Sequence, residues 1–345
     1  MKKMRIGAMA ASVALAVGAF LGAQRLALIP GPWSKSGLYG APPRDGRTNQ
    51  DSLSAAVADN PNDYMAYYRR GIMFDRRREY DKALADFDQA VRLSPAPLSL
   101  EALGIRARDS ADPETHTLGL VFLIRTTRAE TLQKMNRPVE ALEDLDHAVA
   151  LDGTKIDVVY SRGMLRTITG RYEDAIADFD AILRRRDNRD WLFGRGLARY
   201  FNGDWKDAAA DLQEALRRAP GNDTYLIWLA KAHLRAGIPL PTQPFANVDR
   251  QSGAWAVIEA LMTDHNPAQF SAGVKAGAGY SAAGARSAAG VGDARCKAVL
   301  FLGEWLTIRK GGDGARAMFA EAENLCPPLS IERAAAAAEL QRAAP

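Results

Sequence analysis

The stretch "EYDKALADFDQAVRLSP", residues 79–95, returns 92 positions later (171 − 79) as "RYEDAIADFDAILRR", residues 171–185. Self-similarity of this kind constrains a fold strongly, because it means one supersecondary unit stacked on copies of itself. In each copy, small and apolar residues fall three and four positions apart (Ala83, Phe87 and Ala90; Ala175 and Phe179), the spacing of one face of a helix. With 47% hydrophobic and 25% charged residues in 345, the chain has a globular composition that suits many short helices packed together. The first copy also carries Asp81, Asp86 and Asp88, which could be a carboxylate cluster built for chemistry or part of the repeat. A catalytic cluster does not usually come twice, whereas a structural unit does.

A 34-residue frame starting at Tyr64 organises the first copy. Tyr67 is then position 4, Gly71 position 8, Phe74 position 11, Tyr80 position 17, Ala83 position 20, Phe87 position 24, Ala90 position 27 and Pro95 position 32. A frame from Ile156 places Gly163, Gly170, Tyr172, Ala175 and Phe179 at positions 8, 15, 17, 20 and 24. One from Arg189 places Gly196, Gly203, Trp205, Ala208, Leu212, Ala215 and Pro220 at positions 8, 15, 17, 20, 24, 27 and 32. A weaker unit from Phe122 keeps Ala129, Ala141, Leu145 and Ala148, with Pro138 expected at the start of its second helix, where proline is tolerated. A further unit begins near Asp223 and loses its second helix at Pro239–Pro244. The pattern resembles the tetratricopeptide repeat, in which small residues let two antiparallel helices approach, aromatics fill the space between them and proline ends the second helix.

The resemblance implies an all-α fold, a superhelix of antiparallel helix pairs (an α-solenoid), over residues 51–237 with an insertion near 98–121. A helical or irregular connector follows over 238–295, then a repeat-like hairpin and capping helix over 296–345, with Ser330 as the expected N-cap. In an antiparallel hairpin of this frame, positions whose numbers sum to about 30–32 face each other. Position 7 is Arg70, Arg128, Arg162 and Arg195 in four units, and position 23 is Asp86, Asp144, Asp178 and Asp211. Each aspartate is therefore expected to meet an arginine across its helix pair and fix the register, which answers the question of the acidic residues structurally. Cys296 and Cys326 occupy positions 1 and 31 of the last unit, so the same geometry, in an oxidising compartment, predicts a disulfide.

That compartment is suggested by the N-terminus. "MKKMRIGAMAASVALAVGAFLGAQ" has a basic start and an uncharged, mostly apolar run from Ile6 to Ala23. Residues 1–28 read as an export signal or as a retained membrane anchor; in both cases the remainder faces outward. No cysteine follows the apolar run, so a lipoprotein signal is not expected. Residues 29–50, rich in Pro, Gly and Ser, read as a linker. The formal charge of +4 includes Lys2, Lys3 and Arg5; without them the balance is 4 − 3 = +1, which gives no electrostatic case for nucleic-acid binding.

No catalytic constellation, cofactor motif or metal-ligand spacing emerges. His116, His147, His233 and His265 are scattered, and the glycine-rich "GAGYSAAGARSAAGVG" (277–292) follows no apolar strand and lacks GK[ST]. The resemblance instead implies a concave binding face lined by positions 2, 5, 9 and 12 of the first helices. Position 5 reads Tyr68, Thr126, Tyr160, Phe193 and Ile227, and position 9 reads Ile72, Glu130, Met164, Leu197 and Lys231. Tyr200 is position 12 and Trp228 position 6. The expected partner-binding set is Tyr68, Ile72, Tyr160, Met164, Phe193, Leu197, Tyr200 and Trp228, an apolar and aromatic face. The alternative for these aromatics is packing between neighbouring repeats. The carboxylate-gripping clamp of chaperone-binding repeats is absent from these positions.

The layout as a whole resembles exported periplasmic tetratricopeptide adaptors, whose members dock envelope proteases or cell-wall hydrolases. The implied function is a non-catalytic interaction scaffold of the bacterial cell envelope, periplasmic or held at the inner membrane through residues 6–23, with homodimerisation through end repeats left open. The alternative is an assembly subunit of an envelope secretion, pilus or polysaccharide-export machine.

Overall fold

A computed structural model describes residues 50–94, 113–240 and 288–343, with the side chains of 113–118, 288–295 and 298 excepted. The N-terminal signal or anchor, the linker, most of the 98–121 insertion and most of the 238–295 connector lie outside the described residues. Among the described residues there are thirteen α-helices and no strand. They are α1 (Gln50–Asp59), α2 (Tyr64–Arg76), α3 (Tyr80–Leu93), α4 (Pro113–Lys134), α5 (Pro138–Leu151), α6 (Ile156–Ile168), α7 (Tyr172–Leu183), α8 (Arg189–Asn202), α9 (Trp205–Arg218), α10 (Asp223–Ala236), α11 (Ala288–Lys310), α12 (Ala315–Leu325) and α13 (Ile331–Arg342). No helix of the described residues is long and apolar enough to cross a membrane.

Local chemistry sets the helix ends. The side chains of Asp63, Asn188, Asn222 and Ser330 each accept a backbone N–H of the first turn, at α2, α8, α10 and α13. Pro138 opens α5 at a position where its missing N–H costs nothing. Position 15 of four repeats, the residue between or just after paired helices, lies at positive φ: Arg78 (63°), Asn136 (56°), Gly170 (85°) and Gly203 (99°). The turn demands the left-handed region, and two units meet it with glycine while two do not.

The chain divides into two compact units, whose described residues are 50–165 and 166–343. In the first, α2 packs against α3, α3 against α4, and α4 against α5, with α1 on α2. Its core includes Tyr68, Phe74, Ala83, Phe87, Ala90 and Ile124, with Met65, Ile72 and Leu123 packed against them. In the second, α7, α8, α9 and α10 pack in succession, and α11, α12 and α13 form a second group. The same contact closes hairpins in both units. A Cβ placed on Gly71 would lie 2.6 Å from the Phe87 ring, and one on Gly303 would lie 2.7 Å from the Phe319 ring. One on Gly196 would lie 2.9 Å from Leu212 Cγ. Position 8 thus seats the large residue at position 24. Cys296 and Cys326 join α11 to the end of α12 in a disulfide with a Cα–Cα distance of 4.9 Å.

Candidate partner-binding faces

The charged residues of the frame form a ladder. Arg70 donates from Nε and Nη2 to Asp86 at 2.8 Å each. Arg128 donates to Asp144 from Nε (2.6 Å) and Nη2 (3.1 Å), and Arg195 donates to Asp211 from Nε (2.9 Å) and Nη2 (2.7 Å). Asp178 accepts from Arg166 Nη1 at 2.8 Å, and Asp211 also accepts from Arg199 at 2.7 Å, the equivalent residue one repeat on. Arg162 donates to Asp146 at 2.9 Å. Those pairs reveal a second rule that sequence reasoning missed. Arg128 also donates to Asp88 at 2.8 Å, and Arg195 to Asp180. Asp88, Asp146 and Asp180 are all position 25 of the repeat preceding the arginine. In "DFD" the first aspartate closes its own hairpin and the second clasps the next repeat. The signal was present: the unit from Arg189 has Gln213 at position 25, and the following unit has Leu229, not Arg, at position 7.

The expected groove residues divide between the two units. In the 50–165 unit, Tyr68 is buried at position 5 of α2, its hydroxyl 3.3 Å from Thr127 Oγ1, and burial pushes its pKa up to about 12. Ile72 and Tyr160 are half-buried and Met164 is buried. Between α2 and α4 the polar groups pair off, with Asp75 accepting from Thr131 (2.9 Å) and from Lys134 (2.8 and 2.7 Å). Glu130, on α4 at position 9 of the repeat from Phe122, is half-buried and takes part in no hydrogen bond or ion pair among the described residues. Burial raises its pKa to about 7, opposed by Lys134 and assisted by Asp75.

In the 166–343 unit, Phe193, Leu197, Tyr200 and Trp228 are interior residues, at 8%, 0%, 2% and 6% exposure. Phe193 stacks on Tyr225 with centroids 4.4 Å apart, and Trp228 meets Tyr200 and Phe201 edge-on at 5.2 and 5.5 Å. Their side of the hairpin is covered by the chain itself, since α13 packs on α8. Arg342 donates from Nη2 to the carbonyls of Tyr200 (3.0 Å) and Phe201. Arg235 donates to both oxygens of Glu339 at 3.1 Å, and Lys231 Nζ lies 2.8 Å from Glu304. Burial raises the Tyr200 hydroxyl well above its ordinary pKa and lifts the Glu304 carboxyl, with Lys231 opposing the latter. Sequence placed α13 as a cap; its docking on α8 had no sequence signal. His233 Nδ1 is 2.8 Å from the Pro239 carbonyl, to which it donates. No group of three or more His, Cys, Asp or Glu side chains that could hold a metal ion occurs among the described residues.

Residues 50–96, 169–200 and 193–239 match the family model of the tetratricopeptide repeat. No curated protein matches the chain. Among solved structures the chain is similar to a tetratricopeptide repeat protein from Parabacteroides merdae, at 14% identity and TM-score 0.44, over 84% of this chain and 90% of that one. It is similar to PilW, a widely conserved type IV pilus biogenesis factor, at 17% identity and TM-score 0.39, over 64% and 87% of the two chains. It is similar to Pseudomonas aeruginosa PilF at 14% identity and TM-score 0.37, over 84% and 99%. Repeats of this class mediate protein–protein interaction on the surfaces that their stacking creates. The matched stretches contain α1–α3 and α7–α10, and over residues 50–96 and 169–239 this chain is built of tetratricopeptide repeats.

Proposed function

We propose that the protein is a non-catalytic adaptor of the bacterial cell envelope, directed outward by residues 1–28, that holds a partner peptide or protein on the α2–α4 face of its 50–165 unit. The observation that carries this reading is the contrast between the two units. Phe193, Leu197, Tyr200 and Trp228 are all interior, whereas in the 50–165 unit Tyr68 and Met164 are buried but Ile72 on α2 and Glu130 on α4 keep part of their surface. Glu130 adds a half-buried carboxyl without an ion pair among the described residues, on the helix that also carries apolar Leu123, which suits a partner segment presenting a cationic side chain among apolar ones. By resemblance the partner class is an envelope protease or cell-wall hydrolase.

The test is in-cell crosslinking through a photoreactive residue at position 72, followed by mass spectrometry. One dominant envelope protein, lost when Glu130→Lys is added, is the expected result. Self-crosslinks alone, or capture that Glu130→Lys leaves unchanged, would remove this face as the binding site.

A further inference from the structure

The contact between the C-terminal helices and the repeats of the 166–343 unit is chemically unusual for a cap. A cap needs an apolar underside; this one brings carboxylates into the interior. Lys231, at position 9 of its repeat, is buried with its Nζ 4.2 Å from the Trp228 ring centroid and 2.8 Å from Glu304, whose side chain is 2% exposed. Arg235 lies 4.6 Å over the Trp205 ring and pairs with Glu339; the side chains are 8% and 7% exposed. Around these pairs the occupant is small. Ala334, Ala335, Ala336 and Ala338 are buried, which lets α13 come close to α8. Buried ion pairs add little net stability but penalise a wrong occupant heavily, because either charge alone would be buried without a partner. Two buried cations on a tetratricopeptide face therefore select what may lie there.

We infer that the face of α8 and α10 that carries Lys231 and Arg235 is a receptor site for a helix bearing carboxylates, and that the chain's own C-terminal hairpin occupies it in cis. The site is closed to partners in this state, and a competing helix takes it only by displacing a tethered ligand present at high local concentration. The inference goes beyond the adaptor reading and does not depend on it, since it concerns different residues in a different unit.

The test uses the intact chain. Native-state hydrogen exchange is followed by mass spectrometry for the wild type, Glu339→Gln and Arg342→Gln, the last in case Glu339→Gln fails to fold. The expected result is that α13 exchanges through an opening that leaves α8 and α10 protected, and that either substitution speeds α13 exchange at least tenfold. A labelled synthetic peptide of residues 328–343 should then bind the opened variant, and its Glu339→Gln version at least tenfold more weakly. A common exchange rate for α8, α10 and α13 in every protein, an α13 rate that the substitutions leave unchanged, or no peptide binding overturns the inference.

Discussion

Asp144 and Asp88 share a side chain and an arginine, yet they should contribute very differently. Asp144 is fully buried and accepts from Arg125 (2.9 Å) and twice from Arg128. Its removal leaves two guanidinium groups with lost partners in a largely dry site, so Asp144→Ala should cost about 3 kcal/mol. Asp88 is 53% exposed where it clasps Arg128, and Asp88→Ala should cost less than about 1 kcal/mol. Equal shifts in urea melts would mean that burial does not set the worth of this ladder. The 7–23 pairing, seen at Arg70–Asp86, Arg128–Asp144 and Arg195–Asp211, could be read from the frame because both residue types recur in four units. The position-25 clasp was legible too, but only by comparing each unit with the next. Arg78 holds φ 63° where Gly203 holds 99°, and it is exposed. Arg78→Gly should therefore raise stability, by up to about 1 kcal/mol, because the left-handed strain outweighs the added freedom of the unfolded chain; a lowered melting temperature would contradict this. Glu130 has a different signature. Its folded pKa of about 7 lies above the ordinary 4.5, so the group favours folding while protonated. That contribution is complete below about pH 4.5 and is lost as pH rises through about 7. Glu130→Gln lacks this dependence, so its melting temperature should gain on the wild type between pH 5 and 8, by on the order of 2 kcal/mol in stability. A gap that stays constant with pH would show that the carboxyl is better solvated than its surroundings imply.

At the scale of elements, the hairpin is fixed by what position 8 allows position 24 to be. Gly71 faces the Phe87 ring and Gly196 faces Leu212, while Ala129 occupies the same position in the unit that has Leu145 at position 24. A methyl on Gly71 would sit 2.6 Å from a rigid ring, and overpacking should exceed the helical advantage of alanine. Gly71→Ala is therefore expected to destabilise by about 1–2 kcal/mol. Gly196→Ala meets Cγ of the buried Leu212 at 2.9 Å, a branched carbon rather than a ring, and should cost less, under about 1 kcal/mol. If both variants lose the same stability, helix spacing rather than ring contact governs the pair. This contact and the 34-residue period are why α2, α3 and α5–α10 could be placed from sequence, whereas α4 begins at Pro113, nine residues before the frame from Phe122 (122 − 113). Helix α13 shows where that reading ends. Its alanines identify a helix that can pack closely on either side, and a local pattern does not name the surface it will meet. Lys231 likewise reads as a charge facing an open groove, because its partner Glu304 is 73 residues away (304 − 231) in a repeat-like hairpin whose placement no periodicity encodes.

Across the whole molecule, the repeats supply local contacts and the C-terminal group depends on a covalent one. Helices α11 and α12 are joined by a glycine-rich turn in which Gly311, Gly312 and Gly314 all lie at positive φ, and a turn with that much freedom specifies its hairpin weakly. The Cys296–Cys326 disulfide compensates by closing a 30-residue separation at the far end of the same hairpin. Loop-closure entropy gives such a crosslink about 3–4 kcal/mol. Both cysteines are buried, at 0% and 1% exposure, so a reductant reaches them only after the hairpin opens. Two consequences follow together. Replacing both cysteines by serine should lower the denaturation midpoint and remove hydrogen-exchange protection first from α11 and α12. In the wild type, reduction under native conditions should be slow and should accelerate in Glu339→Gln, because the substitution that frees α13 from α8 also loosens the hairpin that shields the sulfurs. An unchanged midpoint in the serine variant would mean that docking on the repeats, not the crosslink, holds the hairpin. Reduction at equal rates in the two proteins would mean that the sulfurs are reached without undocking α13.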